Sequence, residues 1–160
     1  MPARGNKKPP LCSGFSSPAG GVRASNYMID LVAANHEGRE LELMLAGRKP
    51  LAMFCEELSC LPDEEFIPEN RFSPYVASGQ FIRDEIVVSG PFSQELGRET
   101  NIKYVLFAVK DEGWRINAML LLKKLHAKTI AWNETCERFE STLLGYTDEE
   151  IDAWCNKKFR

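Results

Sequence analysis

IKYVLFAVKDEGWRINAMLLLKKLHA (Ile102–Ala127) changes its period part-way along. From Ile102 to Val109 it is β-branched, aromatic or aliphatic at positions of both parities. That is the pattern of a central strand covered on both faces. From Trp114 onward the spacing is helical. Trp114, Ala118, Leu121, Leu122 and Leu125 form one broad apolar face, with Asp111 as the expected cap. A hairpin through Asp111-Glu112-Gly113 into a strand over Trp114–Asn117 competes with this reading. The pattern runs unbroken into LLLKKL, which favours the helix.

Upstream, Gln80 to Ser89 alternates in part. Ile82, Asp84, Ile86 and Val88 share one face, and Phe81, Arg83, Glu85 and Val87 share the other. Gly90-Pro91 is expected to end this strand. The connection GPFSQELGRETN is long for a hairpin loop and predicts a short helical turn in SQELGR. Leu51 to Cys55 predicts another strand. The segment EELSCLPDEEFIPENRFSPYVASG contains Pro62, Pro68 and Pro74 and predicts a long loop with at most one helical turn. Before it, Leu41, Met44 and Leu45 share a helical face that Gly47 closes. A shorter helix, capped by Ser25 or Asn26, is expected through Ala34.

Downstream, Asn133 is a good cap for a helix with Cys136, Phe139 and Leu143 as its stripe. Gly145 stops that helix. Thr147 with Glu150 makes a capping box for a final helix that buries Ile151, Trp154 and Cys155. Two helices joined by a tight turn raise the question of DNA reading. A recognition helix meets the duplex with its first turn. Here that turn carries Asp148, Glu149, Glu150 and Asp152, which repel phosphate and are explained by capping and the helix dipole. The Leu144-Gly145-Tyr146 turn resembles the loop of ubiquitin-associated domains over these two helices alone, and is read as shared turn chemistry. The whole order predicts an α+β fold with a small antiparallel sheet of about three strands covered by helices, ending in an αα-hairpin.

Residues 1–25 form a segment of their own, rich in proline, glycine and serine, without apolar period and expected to be a disordered basic tail. They hold four of the 20 Lys and Arg and none of the 23 Asp and Glu, leaving residues 26–160 as a single domain with 16 bases against 23 acids, a net of −7. An acidic body disfavours nucleic acid and suits a basic protein partner. No apolar run has the length of a membrane span. The 5 cysteines are odd in number and irregular in spacing, so reduced thiols in a bacterial-type cytoplasm are expected rather than a disulfide framework.

Phosphate-loop, dinucleotide, nucleophile-elbow and zinc-protease motifs are absent from the sequence. No metal site and no cofactor are expected. The acids Glu56, Glu57, Asp63, Glu64 and Glu65 and the aromatic residues Phe66, Phe72 and Tyr75 surround the proline-rich segment. They are the candidate partner-binding face of a non-enzymatic inhibitor, immunity or regulatory protein. The rival is a small carboxylate-dependent, metal-assisted hydrolase or nuclease. Asp84, lying among apolar residues, and His126, a base for Cys136 or a serine, would be its catalytic groups. Oligomeric state is not legible.

Overall fold

The computed structural model describes residues 36, 38–58, 67–93, 98–128 and 131–160. Five α-helices and three strands lie among them. They are α1 (Glu40–Leu45), β1 (Leu51–Glu57), α2 (Glu69–Ala77), β2 (Phe81–Ser93), β3 (Arg98–Val109), α3 (Trp114–Lys128), α4 (Glu134–Leu144) and α5 (Asp148–Phe159). The expected tail over residues 1–25 and the helix before Ala34 lie outside the described residues.

Sheet order is β1-β3-β2, and both neighbours run antiparallel to β3. The strand read as central is central for a physical reason. Val105, Leu106, Phe107 and Ala108 are each 0% exposed, so β3 has core on both faces. One face joins α1 and α2 through Met44, Ala52, Phe72, Phe81, Val105 and Phe107. The other joins α3 and α4 through Leu51, Leu106, Ala108, Met119, Leu122 and Leu143. The fold is α+β, a three-stranded antiparallel sheet covered by helices, with α4 and α5 as the closing αα-hairpin.

Three local expectations change. Gly90-Pro91 does not end β2. The ladder shifts register between Ser89 and Phe92 and resumes to Ser93 opposite Arg98. A bulge absorbs a proline that a regular ladder could not. The helical turn expected in SQELGR therefore has only residues 94–97 left to occupy, outside those described. The proline-rich segment contains a whole helix, α2, with Pro74 inside it. Phe72 anchors that helix, 1% exposed and stacked on Phe107 with ring centres 4.3 Å apart. Burial of one large ring outweighs the helix-breaking residues around it.

The αα-hairpin forms as its caps dictate. Asn133 accepts the Cys136 N–H at 3.0 Å, and Thr147 and Glu150 complete a reciprocal capping box. Gly145 sits at φ +84°, and a Cβ there would lie 2.2 Å from Cδ of Pro50. The turn is thus pressed against the start of β1. No helix among the described residues is long and apolar enough to cross a membrane. Cys136 and Cys155 are free and buried, but Cys55 is disulfide-bonded, which corrects the expectation of reduced thiols there.

Candidate functional site

The predicted site residues fall into different settings. Asp63, Glu64, Glu65 and Phe66 lie outside the described residues. Glu56 and Glu57 end β1, half-buried. Glu56 lies 3.7 Å from the Lys103 ammonium, which is 3.6 Å from Glu85. Arg83 binds Glu85 and also clamps Glu69 of α2. Two cations, Lys103 and Arg83, thus alternate with three carboxylates, Glu56, Glu85 and Glu69, across this face of the sheet. Glu85 is held below the usual carboxylate range by its Arg83 hydrogen bond. Phe72 is core, and Tyr75 packs on Phe81 with centres 5.4 Å apart. These two rings anchor α2 and do not form a free aromatic patch.

Asp84 does share the face of Ile86, as its parity required, but is exposed near the start of β2. Its Oδ1 accepts the Glu85 N–H at 2.8 Å. Exposure removes the need for a buried cation that its apolar neighbours implied. Arg115 is held by Glu112 at 2.7 Å and donates to the Thr142 carbonyl at 2.9 Å, so it is engaged away from Asp84. His126 stands exposed in the last turn of α3, edge-on to Trp132 at 4.8 Å. Cys136, its suggested nucleophile, is 8% exposed in the core. No group of three or more His, Cys, Asp and Glu among the described residues is placed to hold a metal.

Charge is instead buried where α3, α4 and α5 meet. Glu137 is 2% exposed and takes three donors, Trp132 Nε1 at 2.5 Å, Trp154 Nε1 at 2.7 Å and Lys158 Nζ at 2.7 Å. One helical turn on, Glu140 pairs with buried Lys123 at 2.8 Å. The Lys123 ammonium also lies 5.1 Å from the Tyr104 ring centre and 4.9 Å from that of Trp132. Burial pushes the Glu140 carboxyl up, against the opposing pull of Lys123, and its Oε2 has no hydrogen-bond partner. Burial likewise pushes the Tyr104 phenol up to about 12.

A second buried cation, Lys49, is 3% exposed beside the α4–α5 turn. Its Nζ donates to the Leu144 carbonyl at 3.3 Å and lies 3.4 Å from His36 Nδ1. His36 stacks on Tyr146 at 4.5 Å. Burial lowers the Lys49 ammonium to about 8, and burial with the Lys49 charge lowers the His36 imidazole. The lysine serves the last carbonyl of α4, where a cation complements the helix dipole.

The outward side of α3 inverts the usual rule. Ile116, Met119, Leu120, Leu122 and the charged Lys123 face the core. Trp114 is 56%, Leu121 57% and Leu125 39% exposed. The apolar face read from the sequence was therefore mostly the wrong one. Of its five members, only Leu122 is buried, although half-buried Ala118 packs beside the core. The helix is apolar nearly all round, so periodicity alone could not choose. The true face carries a charge, which in the sequence argues against burying it. Lys123 is spaced seven, four and three residues after Ile116, Met119 and Leu120. In α4 the same slip occurs, with Phe139 45% exposed and Glu140 3%. Trp114, Leu121 and Leu125 stand one above another along the helix, an apolar line facing solvent. Ile82 of β2, 40% exposed, adjoins its upper end. A Cβ on Gly113 would lie 2.6 Å from Ile82 Cδ1.

No family model, curated protein or solved structure matches this chain.

Proposed function

We propose that this chain is a protein-interaction module of the inhibitor or regulatory kind that docks on the outward face of α3. One observation carries the reading. Trp114, Leu121 and Leu125 form an exposed apolar line on a helix whose core side holds a buried ion pair. Turning a buried ion pair inward and leucines outward opposes the usual partition of a helix. Such local conflicts concentrate where a surface serves something beyond folding. Trp and Leu side chains bury much apolar area when covered, and tryptophan is favoured at binding hot spots.

The acidic face is a weaker docking surface than its composition promised. Lys103 pairs with Glu56, one of its two described candidate carboxylates, and Phe72 is buried in the core. Asp84 and His126 stand exposed on a strand and a helix end, and no observation among the described residues favours the hydrolase.

The test is a photo-crosslinking residue placed at 121 and, as control, at exposed Asn156. A discrete protein adduct at 121 and none at 156 is expected in the cell of origin. Adducts at neither position, from a chain that still folds, would refute docking through α3.

A further inference from the structure

Lys49 and His36 meet beside the α4–α5 turn, and we propose that their contact is an acid-sensitive latch, closed while His36 is neutral and opened when it takes up a proton. The latch is independent of what covers α3. Lys49 is 3% exposed, and an ammonium buried so far must place its N–H donors. One donates to the Leu144 carbonyl at 3.3 Å, and Nδ1 of His36 lies 3.4 Å away. The Tyr146 ring, centred 4.9 Å from Nζ, takes the charge on its face. None of these three partners is a carboxylate. An ammonium has no lone pair to offer, so Nδ1 is its acceptor only while unprotonated, which puts the ring proton on Nε2. The imidazole is then held twice, by Lys49 and by its stack on Tyr146.

A proton on Nδ1 removes that acceptor and sets a second cation 3.4 Å from the first. Burial is the largest influence against it, joined by Lys49 before β1 and by Arg48 and Arg39 on either side of α1. Glu150 in the first turn of α5 favours the proton, and the net direction of the imidazole is down from 6.5. Glu40 in the first turn of α1 and Glu150 support the Lys49 ammonium. Lys49 titrates at about 8, above this window, and stays charged through it. The released ring takes up a proton that the held ring refuses, so the contact is strongest above 6.5 and is lost as pH falls below it. A carboxylate in place of His36 would hold Lys49 down to about pH 4. The imidazole moves the opening into the mildly acidic range. Opening is local, because Arg115 still donates to the Thr142 and Leu143 carbonyls and keeps the end of α4 in place.

Nuclear magnetic resonance of the full chain gives the histidine titrations, with His126, the only other histidine, as internal reference. The His36 midpoint is expected below 6.5, and Lys49→Met should move it up toward that value. Hydroxyl-radical footprinting reads the opening itself. Between about pH 7.5 and about pH 5, oxidation of Tyr146 should rise about threefold relative to that of Tyr75. In His36→Gln the rise should vanish, because a glutamine carbonyl accepts from Lys49 and does not titrate. Circular dichroism at both pH values guards against lost folding. A midpoint at or above 6.5, or one that Lys49→Met leaves unmoved, overturns the contact. Tyr146 oxidation that stays flat in the wild type, or that rises equally in His36→Gln, overturns the latch. Should His36→Gln fail to fold, the wild-type footprint and the Lys49→Met titration decide alone.

Discussion

Gly145 joins two constraints that the sequence displays unequally. Its role as a left-handed helix stop was readable from its place between two capped helices. The approach of Pro50 was not, because it depends on how the hairpin meets β1. Gly145→Ala should therefore cost about 2 kcal/mol or more, combining positive φ with overpacking. Gly79→Ala is the control, with φ +76° but nothing within 4 Å of the added carbon, and should cost about 1 kcal/mol. Denaturant midpoints of the two variants measure the difference. Lys49 is not legible in the sequence, since nothing local marks a lysine for burial. Its ammonium titrates near 8 when folded and near 10.5 otherwise. Between those values the unfolded chain binds a proton that the folded chain lacks, so this group makes stability rise with pH across the window. Burial of Cys155 raises its thiol and works in the opposite direction. The quantity to measure is thus the wild type minus Lys49→Met, by urea denaturation from pH 7.5 to 10.5. That difference should grow with pH, by up to about 3 kcal/mol. A flat difference would refute the lowered ammonium.

Elements were legible where several signals agreed and illegible where one had to choose among equals. β3 needed only its two apolar faces, and α4 and α5 only their caps. In α3 the run Met119 to Leu122 satisfies any face, so orientation falls to tertiary contacts, and the Lys123–Glu140 pair joins two helices far apart in sequence. The same long-range pairing sets a prediction for the helical layer. Lys123→Met leaves a nearly inaccessible carboxylate without its cation and should cost about 3–5 kcal/mol at pH 7. The loss should shrink as pH falls, because a raised carboxyl takes up a proton before its unfolded counterpart does, which favours the folded state at low pH. Lys123→Met with Glu140→Leu should recover most of the stability, since two apolar side chains of similar volume replace both charges. A double-mutant cycle by chemical denaturation gives the coupling. Additive losses would mean that the pair does not act as a unit.

At the scale of the whole molecule, composition pointed to an acidic partner-binding body, whereas the docking surface proposed above lies on a helix that is apolar and locally basic. Net charge is a sum over the chain. It carries no information about which acids are met by Lys103 and Arg83, or that leucines face outward on α3. The two surfaces predict opposite responses to salt. Association through an acidic face slows as salt rises, because screening at ~0.15 M confines such attraction to about 8 Å. Association through Trp114, Leu121 and Leu125 removes apolar surface from water, which sodium chloride weakens little and sulfate strengthens. The affinity of the chain for whatever covers α3 should therefore change less than about threefold between low and moderate sodium chloride, the residual loss coming from exposed end charges. It should rise in sulfate at equal ionic strength. Reversing Glu56 and Glu57 to lysine should leave it unaltered, while Leu121→Glu abolishes it. Titration calorimetry supplies a second signature, since covering an apolar line lowers the heat capacity and pairing charges at a rim does not. A steep salt dependence that vanishes when Glu56 and Glu57 are reversed would return the docking surface to the acidic face.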